Sequence, residues 1–267
     1  MREFVYHRPL SLAEAERLFA ASAEGRYLSG GMTLIPTMKQ GLATPVDLVD
    51  LGRLPELKML LVEDGYLVVG AATTHTEVQT SPIVADAIPA LADLAGQIGD
   101  PHVRHRGTIG GSIANNDPAA DYPAAVLALG ATIETSRRTL PAEEFFQGMF
   151  STALEEGEIV TRIRFPIPER AAYRKFSNPA SRYAMAGVFV AMLGDGEVRV
   201  AVTGAGQDGV FRASEMEDAL SAELNPAEIE AIVVDPATML SDLHGSAAYR
   251  ANLVKVMAKR AVADLLA

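Results

Sequence analysis

Apolar positions recur along this chain with two different periods, and the switches between them lay out its elements. Residues 3–9 read as a short strand, after which Ser11, with Glu14 three residues on, carries the signature of a capped helix start. Leu12, Ala15, Leu18 and Phe19 share one face at a 3.6-residue period, so this helix is expected to cover a sheet. Residues 27–28 and 47–51 read as strands, the first running into a glycine pair. Residues 58–62 and 66–71 flank Glu63-Asp64-Gly65, whose Asp-Gly pair favours a tight hairpin turn. From 81 to 97 the residues Ile83, Val84, Ala87, Ile88, Leu91 and Leu94 repeat helically. A second buried helix is expected over 122–129, giving way to a strand at 131–135.

The style changes after Pro168. Long strands at 173–177, 184–193 and 198–203, with a hairpin turn at Asp195-Gly196, precede helices at 214–222, 226–233 and 246–266. Three strands followed by three helices point to an α+β second domain. No repeat, low-complexity run or Gly/Ser linker separates the parts, so they are expected in close contact.

With 267 residues and 49% hydrophobic content, the chain can bury a substantial core. No run of about 18 apolar residues exists to span a bilayer, and Arg2, Glu3 and Arg8 stand where a signal peptide needs an apolar stretch, so a cytoplasmic location and no membrane span are expected. Absence of cysteine removes disulfides, thiolate zinc sites and any cysteine-ligated iron–sulfur cluster from this polypeptide. A net charge of −11 works against nucleic-acid binding, which draws on clustered Lys and Arg.

Two distant glycine pairs carry the chemistry: Ser29-Gly30-Gly31-Met32-Thr33 and Thr108-Ile109-Gly110-Gly111-Ser112. Paired glycines let backbone N–H groups approach phosphate oxygens with no Cβ in the way, and the neighbouring hydroxyls add donors. Both loops can face one diphosphate only if folding brings them together. The second leads into Asn115-Asn116-Asp117-Pro118-Ala119-Ala120-Asp121-Tyr122-Pro123.

On these residues the chain resembles the FAD-binding medium subunit of the molybdenum hydroxylases, the group containing carbon monoxide dehydrogenase and xanthine dehydrogenase. The likeness runs nearly end to end, anchored at 27–39 (YLSGGMTLIPTMK), 70–77 (GAATTHTE), 98–123 (IGDPHVRHRGTIGGSIANNDPAADYP) and 243–250 (LHGSAAYR). It implies an α+β fold: an FAD-binding domain over 1–170, made of two α/β subdomains of the PCMH / vanillyl-alcohol-oxidase type, then a three-stranded antiparallel sheet with helices over 171–267. It implies FAD as cofactor and, as partners, an iron–sulfur small subunit and a molybdenum-cofactor large subunit, assembled as a dimer of heterotrimers. Electrons would pass from the partner's clusters through the flavin to NAD, a quinone or oxygen.

By the same resemblance both glycine loops bind the diphosphate and ribityl region. Asp121 aligns with an acidic residue that contacts the ribityl hydroxyls, and Asp117 either joins it or caps the turn before Pro118. Arg106, beside the second loop, would add positive potential or form a surface ion pair. Thr74 lies in a segment near the cofactor and could equally cap a helix. Ile98 and Val160 align with cofactor neighbours that could equally be core. Lys175 and Tyr183 align with residues approaching the isoalloxazine ring, where a cation would stabilise the reduced flavin and an aromatic ring would shield one face.

Two other patterns are weaker. His102 and His105, with His75, invite a metal reading, but no carboxylate or cysteine completes a set, and none is assigned. In the resembling family, polar residues such as Gln or Asn stand at the positions of His102 and His105. Gly204-Ala205-Gly206-Gln207-Asp208-Gly209 fits the dinucleotide fingerprint, yet no helix opens directly after it and no parallel βαβ series follows. A free-standing flavin oxidase or reductase and a non-enzymatic FAD-binding assembly subunit remain as alternatives, the first disfavoured by the roughly 100 residues left for a substrate module.

Overall fold

The computed structural model describes residues 1–267, organised around three sheets. In the first, β1 (Val5–His7) is followed by α1 (Leu12–Ala20), β2 (Gly25–Leu28), α2 (Leu34–Lys39) and β3 (Asp47–Asp50), and the strands pair in parallel in the order β1-β3-β2. Ser11 caps α1 as expected, its Oγ accepting the Glu14 N–H at 3.2 Å. Glu14 reaches back to the Leu10 N–H rather than to that of Ser11. Ala15, Val49, Leu51, Leu54 and Leu57 form a small core that touches Ala72 and Ile159 of the next layer.

The second sheet is antiparallel. It begins with the hairpin β4 (Leu60–Glu63) and β5 (Tyr66–Gly70), turned by Asp64 and Gly65 at φ +49° and +80°, the two positive angles such a turn requires. Six helices follow: α3 (His75–Thr80), α4 (Pro82–Ala87), α5 (Pro89–Gly96), α6 (Pro101–Arg104), α7 (Ile109–Asn115) and α8 (Tyr122–Ala128). The single helix expected over 81–97 is thus two. Pro89 has no N–H to continue the ladder and disfavours helical backbone at Ile88 (φ −143°, ψ 79°), which breaks the run. The sheet is completed by β6 (Thr132–Thr135), β7 (Thr139–Pro141), α9 (Ala142–Phe145) and β8 (Val160–Pro166), in strand order β4-β5-β8-β6-β7.

The third sheet contains the three expected strands, β9 (Arg170–Ser177), β10 (Ala184–Met192) and β11 (Val198–Thr203), with a two-residue edge strand β12 (Phe211–Arg212) added. Helix α10 (Ser214–Ala222) and the C-terminal α11 (Ala247–Leu266) follow, the latter capped by Ser246. Between them Pro226–Ala231 forms a 3₁₀ turn where a helix was expected, because Ile229 alone turns into the core and no apolar stripe sustains longer winding.

Successive residues of β10 point to opposite faces, and both faces are buried. Phe189 and Ala191 join Leu91 and Leu94 of α5, Tyr122 and Val126 of α8, and Leu67, Ile163 and Phe165 of the second sheet in one core of 32 residues. Val188 and Val190 join Val254, Met257 and Ala258 of α11 in another. The third sheet is therefore bonded on one side to the rest of the fold and on the other to its own helices.

Candidate functional site: a cleft between the glycine loops

The chain folds so that the two glycine loops touch. Ser29 Oγ lies 2.9 Å from Thr108 Oγ1. A Cβ on Gly30 would run into the Arg106 carbonyl and stand 2.7 Å from Gly107 Cα, so the absence of a side chain there is what allows the loops to meet. Gly31 adopts φ +74°, which redirects the chain from β2 into α2.

The loops differ in their amides. The N–H groups of Gly30, Gly31, Met32 and Thr33 make no hydrogen bond within the protein. Those of the second loop are spent: Ile109 N–H donates to Thr73 O at 3.0 Å, Gly110 N–H to Ala71 O at 2.9 Å and Gly111 N–H to Thr108 Oγ1 at 3.2 Å. A Cβ on Gly110 would strike Ala71, so this glycine allows α7 to lie against the end of β5. The expectation that both loops offer free amides thus holds for the first alone. From the second, the Ser112 hydroxyl faces a cleft and has no protein partner.

That cleft, about 820 Å³, runs between the first and second sheets and is closed at one end by the third. Ser29, Gly30, Gly31, Met32, Thr33, Ile98, Thr108, Gly110, Gly111, Ser112, Asp117, Asp121, Val160 and Tyr183 all line it. Four expected site residues do not. Ile109 is fully buried in the core, below the loop it belongs to. Thr74 caps α3, its Oγ1 accepting the Glu77 N–H at 3.2 Å while Glu77 Oε2 accepts the Thr74 N–H at 2.7 Å. Arg106 projects into solvent without an ion pair, and only its carbonyl meets the first loop. Lys175 is wholly enclosed behind the wall.

Lys175 is nonetheless tied to the cleft. Its Nζ lies 2.8 Å from Asp121 Oδ1 and donates to the Gln97 carbonyl at 2.9 Å, and the Tyr173 hydroxyl donates to the same Oδ1 at 2.6 Å. Burial pushes the Asp121 carboxyl above the usual aspartate range, against the pull of the Lys175 ammonium and of both hydrogen bonds. Asp121 Oδ2 has no partner in the protein and is the atom left for the cleft. Asp117, by contrast, uses Oδ1 to accept the Ala119 N–H at 2.8 Å, the turn-capping alternative.

Two residues in the glycine-loop neighbourhood carried no readable signal. Gln97 contributes only a carbonyl, which no side-chain pattern marks, and Tyr173 looked like any strand residue. His75 is buried beside Tyr122, with ring centroids 5.3 Å apart, and burial, followed by the charge of Arg104, lowers it to about 4. His105 Nδ1 lies 2.7 Å from the Pro101 carbonyl, so the three histidines do not converge. The Gly204–Gly209 segment is a turn between β11 and β12, with no helix opening at its end. Gly204 N–H donates to Pro118 O at 2.8 Å and ties that turn to the cleft's far side.

Four free amides on a glycine turn, an unpaired carboxylate oxygen and a cleft of this volume suit a flavin dinucleotide: a diphosphate at the amides, ribityl hydroxyls at Asp121 Oδ2. Residues 2–168 match the family model described as the FAD binding domain in molybdopterin dehydrogenase. The chain belongs to that family. It is a flavoprotein medium subunit of the molybdenum hydroxylase type, an oxidoreductase subunit with FAD as its cofactor. The carbon monoxide dehydrogenase medium chain of Hydrogenophaga pseudoflava is 35% identical over 97% of this chain and 96% of its own length. The nicotine 6-hydroxylase medium subunit of Paenarthrobacter nicotinovorans is 35% identical with the same coverage, 97% and 96%. Among solved structures, carbon monoxide dehydrogenase from Hydrogenophaga pseudoflava superposes with a TM-score of 0.90 at 36% identity, over 99% of this chain and 98% of that one. Quinoline 2-oxidoreductase from Pseudomonas putida 86 gives 0.86 at 29%, over 98% and 96%. The α+β fold of this flavoprotein, an FAD-binding domain followed by an antiparallel sheet with helices, is that of the carbon monoxide dehydrogenase medium subunit. No helix in it is long and apolar enough to cross a membrane.

Proposed function

We propose that this flavoprotein relays electrons within a molybdenum hydroxylase complex, receiving them from the iron–sulfur clusters of a small partner subunit and delivering them to NAD, a quinone or oxygen. A large partner carrying the molybdenum cofactor would oxidise the substrate, and a cytoplasmic dimer of heterotrimers is the expected assembly. Lack of cysteine supports the division of labour, since the clusters must sit on another chain. The observation that carries the reading is the junction of the two glycine loops at Ser29 and Thr108, beside four unspent amides.

Each residue then has a task. The amides of Gly30 to Thr33 hold the diphosphate, with the N-terminus of α2 behind them, and Ser29 and Thr108 fix the two loops in register. Ser112 adds a hydroxyl donor. Asp121 accepts from ribityl hydroxyls, and Lys175 and Tyr173, both on its Oδ1, hold the carboxyl in place and leave Oδ2 for the cleft. Ile98 and Val160 supply apolar wall, and Tyr183 shields one face of the ring system. The bound flavin supplies hydride and one-electron chemistry, so no side chain of this chain needs to act as acid or base. The FAD-binding domain is taken as residues 1–170 and the C-terminal domain as 171–267.

Purified chain should be yellow, and should be reduced only after mixing with its reduced cluster-bearing partner. Direct reduction by a small substrate in the absence of the partner would instead make it a free-standing oxidase or reductase.

A further inference from the structure

One aromatic side chain on the cleft wall has no place in that scheme. Phe150 is 62% exposed, lines the cleft, and sits at φ +56°, a left-handed conformation that a bulky residue rarely adopts. Its strain is held in place by a second residue of the same kind. Asn116, at φ +43° and 1% exposed, donates from Nδ2 to the carbonyls of Gly148 at 2.7 Å and Ser151 at 2.8 Å, and accepts the Phe150 N–H on its own carbonyl at 2.9 Å. A buried amide thus grips both ends of the 148–151 turn. Strained backbone persists where surrounding contacts over-determine it, and such strain gathers at ligand sites.

What the clamp displays is an unsatisfied aromatic surface facing a cavity. Tyr183 is displayed there in a parallel way: it is 51% exposed and follows Arg182 at φ +63°, in a turn whose Ala180 and Ser181 amides are held by Asn178 Oδ1. Both line the cleft. Asn116 adjoins Asp117 in the chain, and the charge of Asp117, with that of Asp121, reaches the Tyr183 hydroxyl and raises it further after burial has done so.

We propose that Phe150 is a cofactor-covering residue, its ring closing against the isoalloxazine ring of the bound flavin at the Asp117 end of the cleft. This rests on the proposed FAD site and adds to it a contact made by a turn outside both glycine loops. Covering this ring removes two apolar surfaces from water at once and gives the strained turn a ligand to serve.

The test is titration of the flavin-free full chain with FAD, and separately with FMN and with ADP, followed by flavin fluorescence, visible circular dichroism and, for ADP, calorimetry. Phe150→Ala should weaken FAD and FMN by about tenfold and alter the visible dichroism, Phe150→Tyr should match the natural protein, and ADP should bind all three alike. Phe150→Gly relieves the left-handed strain, so it should melt no lower than the natural protein while still losing flavin affinity, which separates contact from folding. Unchanged FAD affinity and dichroism in Phe150→Ala would overturn the proposal, as would a loss confined to ADP, which would place the ring on the adenine. If the natural chain itself takes up no FAD, the underlying site assignment fails instead.

Discussion

Ser29 and Thr108 stand 79 residues apart in the sequence, yet their hydroxyl oxygens are 2.9 Å apart at the floor of the cleft. Thr108 Oγ1 also accepts the Gly111 N–H, so the same atom starts α7 and ties it to the turn after β2. Thr108→Val should therefore cost about 1–2 kcal/mol of stability through loss of the cap and the link, and Ser29→Ala about 1 kcal/mol. The double variant should lose less than the sum, because the shared contact is removed twice. Urea unfolding of the flavin-free chain reads all three values.

Gly30→Ala places a methyl against the Arg106 carbonyl and should push the loops apart. Losing one or two charge-assisted hydrogen bonds to the diphosphate, at about 1.5–3 kcal/mol each, predicts FAD binding weaker by on the order of 100-fold. Gly41→Ala is the control, at φ +75° with no atom within 4 Å of the added carbon, and should lose some stability but no FAD affinity. Flavin titration of the two variants makes the comparison.

Lys175→Met leaves the Asp121 carboxylate buried without its cation, a change expected to destabilise the fold by about 3–5 kcal/mol. Adding Asp121→Asn removes the stranded charge and should recover a large part of that loss. Recovery in a double-mutant cycle identifies a coupled pair, whereas additive losses would mean that the two residues act independently.

His75 gives a pH dependence whose sign follows from burial. Its folded pKa of about 4 lies below the unfolded 6.5, so from pH 6.5 downward the unfolded chain takes up a proton that the folded chain refuses. The stability contribution is complete above pH 6.5 and is lost as pH falls toward 4, by about 3 kcal/mol in total. His75→Gln should flatten this part of the profile. Unfolding curves of the two proteins between pH 4 and 7.5 supply the difference.

Local signals were readable where a residue type has one job. Asp64-Gly65 marked its hairpin, Ser246 its helix, and the glycine pairs their loops. Strand β8 alternates Ile163 and Phe165 in the core with Arg162 and Arg164, paired with Glu134 and Glu63, on its outer face, but no local pattern gives its central place between β5 and β6. The Lys175–Asp121 pair was equally hidden. Either residue alone reads as surface, and only the docking of β9 on the loop before α8 shows that they neutralise each other. Likewise the clean division between free and spent amides depends on Ala71 and Thr73, whose carbonyls no sequence pattern assigns to the second loop.

Strand β10 has no solvent-facing side except at its last residue, because Phe189 belongs to one core and Val190, next along the chain, to the other. Prying the third sheet away would tear Phe189 and Ala191 out of the larger core, so the end of the cleft that this sheet closes cannot swing open like a jaw. Amide exchange in the nucleotide-free chain should accordingly be slowest along β10 and fast at the unbonded amides of Gly30 to Thr33.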